Sequence, residues 1–122
     1  MKLKTEKHIL TSMSEQLQKI MSVPLYNIGE YTFDTTTRQL IHKAEVIKLT
    51  NKEAYLLAIL AANQNNVVER KFTLDQIWGE ECFRTSRSMD VYVCKLRNFL
   101  SKDKNIHIEN IHGKGHKLIV NV

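Results

Sequence analysis

The sequence is short of the residues that staple or break a chain: two cysteines, one proline and four glycines in 122 residues. Two cysteines make no disulfide framework. Cys82 and Cys94 form no CxxC pair and read as free thiols of a reducing cytosol, although the sequence alone leaves a bridge open. Scarce Gly and Pro exclude collagen-like and low-complexity classes. No apolar run approaches the ~20 residues that a membrane span needs. The first residues, MKLKTEKHILTSMSEQ, carry lysines but no apolar stretch behind them, and so do not read as a secretory signal. What is present is an ordinary globular composition, 43% hydrophobic, of a length that fits one domain of roughly 100 residues plus a tail.

Acidic residues are also in the minority, 13 against 18 Lys and Arg, for a net charge of +5. The excess is not spread evenly. Residues 1–83 hold ten of each sign, so the whole surplus falls in residues 84–122, together with His107, His112 and His116. A basic segment of this kind suits a polyanionic partner, nucleic acid before an anionic membrane surface, although a charge of this size also suits a merely solvated face.

Along the chain, Ile9, Met13, Leu17, Ile20 and Met21 recur at helical spacing before Pro24. They predict a short amphipathic helix in a tail, residues 1–24, that either packs on the domain, frays, or meets another domain. Short apolar runs then predict four strands at 26–29, 31–34, 38–42 and 46–49, with a hairpin turn at His42–Glu45. At Thr50 the period switches. Thr50 and Glu53 form a capping box ahead of the apolar helix Leu56–Ala61, and Thr73 with Gln76 suggests a second box opening a helix that carries Trp78 as a core anchor and closes at Gly79. After Asn105 a period of two returns. Gly113 and Gly115 then permit a sharp reversal, predicting a hairpin with His112, Lys114, His116 and Lys117 at or near its tip.

Residues 87–101 are the most informative helix. Met89, Val93, Leu96 and Leu100 share one face and belong to the core. Arg87, Val91, Cys94, Lys95 and Asn98 lie opposite, with Ser88 at the edge. Arg and Lys can donate to guanine, Asn can pair with adenine, and small apolar groups can touch a thymine methyl, so this face has the chemistry of a major-groove reader. It also has the composition of the wet side of any helix.

Other constellations carry less. His107, His112 and His116 are spaced by five and four, which matches no common zinc pattern, so no metal or other cofactor is expected. Glu80 and Glu81 are neighbours on a loop rather than an acid–base pair, and neither cysteine has a signature for a base beside it, so no catalytic residue is expected and an enzyme is the least favoured class.

The runs Thr73-Leu-Asp-Gln-Ile-Trp-Gly79, Arg87-Ser-Met-Asp-Val-Tyr-Val-Cys-Lys-Leu-Arg97 and Ile111-His-Gly-Lys-Gly115 resemble, in this order and spacing, the C-terminal effector domains of OmpR/PhoB-family bacterial response regulators. The resemblance covers about residues 25–121. It implies an α+β winged helix-turn-helix: an N-terminal four-stranded antiparallel sheet, a three-helix bundle and a C-terminal β-hairpin wing, with the domain at residues 25–122. It further implies sequence-specific binding of double-stranded DNA for transcription control in the cytoplasm, with helix 87–101 in the major groove and wing 111–117 at the minor groove.

Residue by residue, Arg87, Val91, Cys94 and Lys95 match groove-facing positions, and Ser88 and Asn98, on the same face of the helix, join them as DNA-binding candidates. Tyr92 and Arg97 match backbone-contacting ones, and His112 and Lys114 belong to the wing. Loop 79–86, with Glu80, Glu81 and Phe83, matches a segment that in relatives contacts RNA polymerase. Asp90 is expected to pair with Arg97 or to complement the helix N-terminus. The chain departs from the family at His112 and Cys94, where relatives are often basic, and at His116, where they are usually aromatic.

The tail is too short for the family's phospho-accepting receiver. Either this is an effector domain separated from its receiver, with residues 1–24 as linker, or a stand-alone regulator; the first is favoured. The family further implies a sensor histidine kinase upstream, tandem direct-repeat sites, an isolated domain that is monomeric, and pairing on DNA. Two rivals stand beside this reading. One is a winged-helix module that docks a protein through loop 79–86 and the exposed sheet without binding DNA. The other is an RNA-binding or redox-sensing module using Cys82 and Cys94.

Overall fold

The computed structural model describes residues 14–79 and 86–121. Short local hairpins build the first sheet from β1 (Leu25–Ile28), β2 (Tyr31–Asp34), β3 (Gln39–His42) and β4 (Glu45–Lys48), antiparallel and in chain order. Phe33 lies opposite Tyr26 and Leu40, and Leu40 opposite Ile47. Alternation then turns Ile28, Tyr31, Phe33 and Leu40 inward, each essentially without exposure. The expected strands and the His42–Glu45 turn are all found, with Lys43 adopting φ +55° in that turn.

Helix α1 (Glu15–Ser22) and helix α2 (Asn51–Ala62) pack against each other. In α2 the Thr50–Glu53 capping box forms as expected, with the Thr50 N–H donating to the Glu53 carboxylate at 2.9 Å and the Glu53 N–H to the Thr50 hydroxyl at 3.3 Å. Eight of its twelve residues are buried, on all sides of the helix. A helix apolar all round needs cover all round, and α1 supplies part of it. Leu17 is 1% exposed, with Ile20 and Met21 packed beside it. Ser14 caps α1, its hydroxyl accepting from the Leu17 N–H at 3.0 Å, and also donates to the Gln76 side chain. Ile9 and Met13 lie outside the described residues.

The second sheet departs from a simple hairpin. A three-residue strand, β5 (Val67–Glu69), pairs with β7 (Gly115–Val120), which pairs in turn with β6 (Ile106–Ile111), in the order β5-β7-β6. Two sequence expectations change as a result. Helix α3 runs Arg70–Trp78, so Thr73 is internal, its hydroxyl donating back to the Glu69 carbonyl at 3.4 Å, and the second capping box does not form. The start of α3 is set instead by a tertiary bond, the Arg70 N–H donating to the Lys114 carbonyl at 3.0 Å. Gly79 does close α3, with φ +61°.

His116 is the second correction. It was expected at or near the hairpin tip, but in β7, the central strand of the sheet, it is 3% exposed, opposite Val68 and Asn110, with Arg70 and Arg97 near its ring.

Candidate nucleic-acid interface

Helix α4 (Ser86–Phe99) buries Met89, Val93 and Leu96, with Leu100 just beyond its end, which fixes the roll of the helix. The opposite face is therefore exposed: Val91 at 53%, with Cys94, Lys95, Arg97 and Asn98, while Ser88 and Tyr92 are half-buried. Cys94 is a free thiol. Arg87 belongs to α4, but its side chain lies outside the described residues, as do Glu80, Glu81, Cys82 and Phe83.

Three bonds hold this face against the rest of the fold. Arg97 Nε donates to the Ile108 carbonyl of β6 at 3.0 Å, tying α4 to the second sheet. Asp90 pairs with Arg70 at 3.0 Å, not with Arg97, because α3 begins beside the first turns of α4. Lys95 Nζ stands 3.8 Å from the Glu53 carboxylate and 5.6 Å from the centre of the Tyr92 ring. The capping glutamate of α2 thus also orients the central lysine of α4.

The wing projects beside α4. Its tip, His112-Gly113-Lys114, is exposed, and Gly113 adopts φ +74°, a region that favours glycine. Gly115 serves a close approach rather than the reversal expected of it. A Cβ there would lie 2.0 Å from the Val68 carbonyl oxygen, so only hydrogen fits where β7 meets β5. Behind the tip, the His116 imidazole is held below its ordinary pKa, first by burial and then by the positive charges of Arg70 and Arg97, with Asp90 opposing. Its Nδ1 has no hydrogen-bond partner among the described residues.

At the far end of α4, Asp103 clasps the two sheets together. Its carboxylate accepts from the Asn105 N–H and the Glu30 N–H, both at 2.9 Å, and these bonds lower its pKa. A Cβ on Gly29 would lie 2.5 Å from the same carboxylate, so a glycine is needed there for close approach. Sequence reasoning did not find Asp103 or Arg70, and it placed Glu53 in the capping box without its contact to Lys95. Among the described residues no group of three or more His, Cys, Asp or Glu could hold a metal ion, and no helix is long and apolar enough to cross a membrane.

Two helices leading into an exposed basic helix, followed by a braced hairpin, make this a winged helix. Residues 44–118 match the family described as transcriptional regulatory protein, C terminal. The chain is 47% identical over 95 residues to the transcriptional regulatory protein RprY of Bacteroides fragilis, covering 78% of this chain and 40% of that protein. Among solved structures, the DNA-binding domain of Bacillus subtilis CssR is 27% identical with a TM-score of 0.63, covering 72% of this chain and 98% of that one. The DNA-binding domain of Escherichia coli CpxR is 20% identical with a TM-score of 0.71, covering 81% and 99%, and shows the fold alone. The chain belongs to the OmpR/PhoB family of response regulators as a C-terminal, DNA-binding transcription-regulatory domain, which is not an enzyme. It spans about two fifths of the length of RprY.

Proposed function

We propose that this domain reads double-stranded DNA by sequence and controls transcription as the output domain of a two-component response regulator. The observation that carries the reading is the juxtaposition of α4's exposed face with the exposed wing tip, both within the segment that holds the whole net charge. In this reading α4 enters the major groove, with Arg87, Ser88, Val91, Cys94, Lys95 and Asn98 toward base edges and Tyr92 and Arg97 toward phosphates. The wing sets His112 and Lys114 at the minor groove. Lys95 reaches a base acceptor by exchanging its long 3.8 Å contact with Glu53 for a direct hydrogen bond.

The partners follow the family. The domain is monomeric alone and pairs on tandem direct repeats. Residues 79–86, with Glu80, Glu81 and Phe83, meet RNA polymerase. A receiver domain and a sensor kinase complete the switch, and the protein acts in the cytoplasm.

Selection of bound duplexes from a random pool tests the core of the reading, and failure to enrich any motif at low salt would sink it. Lys95→Ala is expected to cost about 1–3 kcal/mol at one base position and to relax specificity there. Lys114→Ala is expected to weaken binding to all sequences alike and to flatten the slope of log K against log salt by about one unit.

A further inference from the structure

Lys52 lies in the first turn of α2, outside every motif that pointed to DNA. It is half-buried, and among the described residues it has no ion pair or hydrogen bond. Its ammonium stands 5.6 Å from the centre of the Trp78 ring, the end of α3. Trp78 packs on Tyr92 of α4, with ring centres 5.8 Å apart and planes tilted by 42°. Tyr92 in turn carries Lys95 Nζ 5.6 Å from its ring centre. A continuous ladder therefore runs Lys52, Trp78, Tyr92, Lys95, from the N-terminus of α2 across the end of α3 to the outer face of α4.

The two ends of the ladder differ. Lys95 has a carboxylate partner in Glu53. Glu53 also accepts from the Thr50 N–H, so its charge is turned inward toward the capping box and Lys95. Among the described residues Lys52 has no carboxylate partner, and it is held by the face of an aromatic ring. A cation on an indole keeps its charge available to a second partner on its open side. Because Trp78 is 8% exposed and packed into the core, the platform under Lys52 is rigid, and little side-chain freedom is lost when an anion arrives.

We propose that Lys52 is a further DNA-contacting residue, taking one backbone phosphate of the strand that borders the groove occupied by α4. The ligand is a phosphodiester, and the contact carries no base information. This rests on the DNA-binding reading, and extends the interface from α4 and the wing onto a helix of the bundle.

Duplex binding by the whole chain is measured across a salt series for wild type, Lys52→Gln, Lys52→Arg and Lys114→Ala, with the thermal midpoint of each. Lys52→Gln is expected to weaken all sequences alike, leave the selected motif unchanged, and lower the salt slope by about 0.9. Lys52→Arg, which keeps a cation on the indole, is expected to keep the wild-type slope. A single uncharged methylphosphonate is then moved along the duplex. At one position wild type is expected to lose as much as Lys52→Gln does, and Lys52→Gln to lose nothing further. If Lys114→Ala lowers the slope but Lys52→Gln keeps the wild-type slope at an unchanged midpoint, or no methylphosphonate position is shared, the assignment is wrong while DNA binding stands. If Lys52→Gln unfolds, the methylphosphonate scan on Lys52→Ala and Lys52→Arg decides, since only a direct contact makes the two respond differently at a single phosphate. If wild type shows no salt-dependent duplex binding, the broader reading fails first.

Discussion

The two sheets are both antiparallel, yet they are held by different means. The first is a meander of four strands joined by tight turns, and its own side chains Ile28, Tyr31, Phe33 and Leu40 fasten it to α2. The second takes its strands from distant parts of the chain. It depends on a bare backbone approach at Gly115 and on the Arg70 N–H bonding to the Lys114 carbonyl. The first sheet is therefore a packing problem and the second a positioning problem. That division matches the charge, since the neutral part of the sequence contains the first sheet and the basic part the wing.

The most severe way to break the comparison is Gly115→Val. Any Cβ at that site overlaps the Val68 carbonyl, so β5 and β7 must separate and the start of α3 loses its anchor. Backbone clashes of this kind belong to the exceptional class above about 4 kcal/mol. A urea titration should show this, together with loss of duplex binding. Leu40→Ala, in the first sheet, leaves a cavity instead and is expected to cost about 2–5 kcal/mol. Its salt slope for DNA should stay at the wild-type value wherever the protein is folded, and a changed slope would deny that the two sheets have separate roles.

The smallest effect concerns pH. The folded His116 binds protons less readily than the unfolded one, because burial and the nearby Arg70 and Arg97 disfavour the imidazolium. Its stabilising share is thus fully present above the unfolded pKa of about 6.5 and is lost as pH falls below it, by no more than about 1.4 kcal/mol per pH unit. The urea midpoint should fall between pH 7.5 and 5, and His116→Phe should remove that part of the fall. An equal fall in the variant would place the sensitivity elsewhere.

What was legible in the sequence was what depends on near neighbours. The strands of the first sheet, the Thr50–Glu53 box and the buried stripe of α4 are each fixed by residues a few positions apart, and each was found. The exposed face of α4 was legible for the same reason, being the complement of a core face. The misses share a cause. Val67–Glu69 is a strand because β7 lies beside it, α3 begins at Arg70 where a wing carbonyl accepts its N–H, and His116 is buried in the central strand of the sheet with Arg70 and Arg97, both distant in sequence, near its ring. Asp90 finds Arg70 rather than Arg97 through the same nearness of α3 to α4. Lys52 left no mark in the sequence, because its platform is a tryptophan 26 positions away.

The pairing of Glu69 with Gly115 also sets a schedule. Strands of the first sheet meet across loops of a few residues and can close almost as soon as they exist. The second sheet must wait for a partner 46 positions further along, at a larger cost in chain entropy and a later time during synthesis. The bracing of the wing by β5 is thus expected to follow the closure of the first sheet. A nascent chain that ends before Gly115 can close its first sheet while its wing still lacks the strand that braces it.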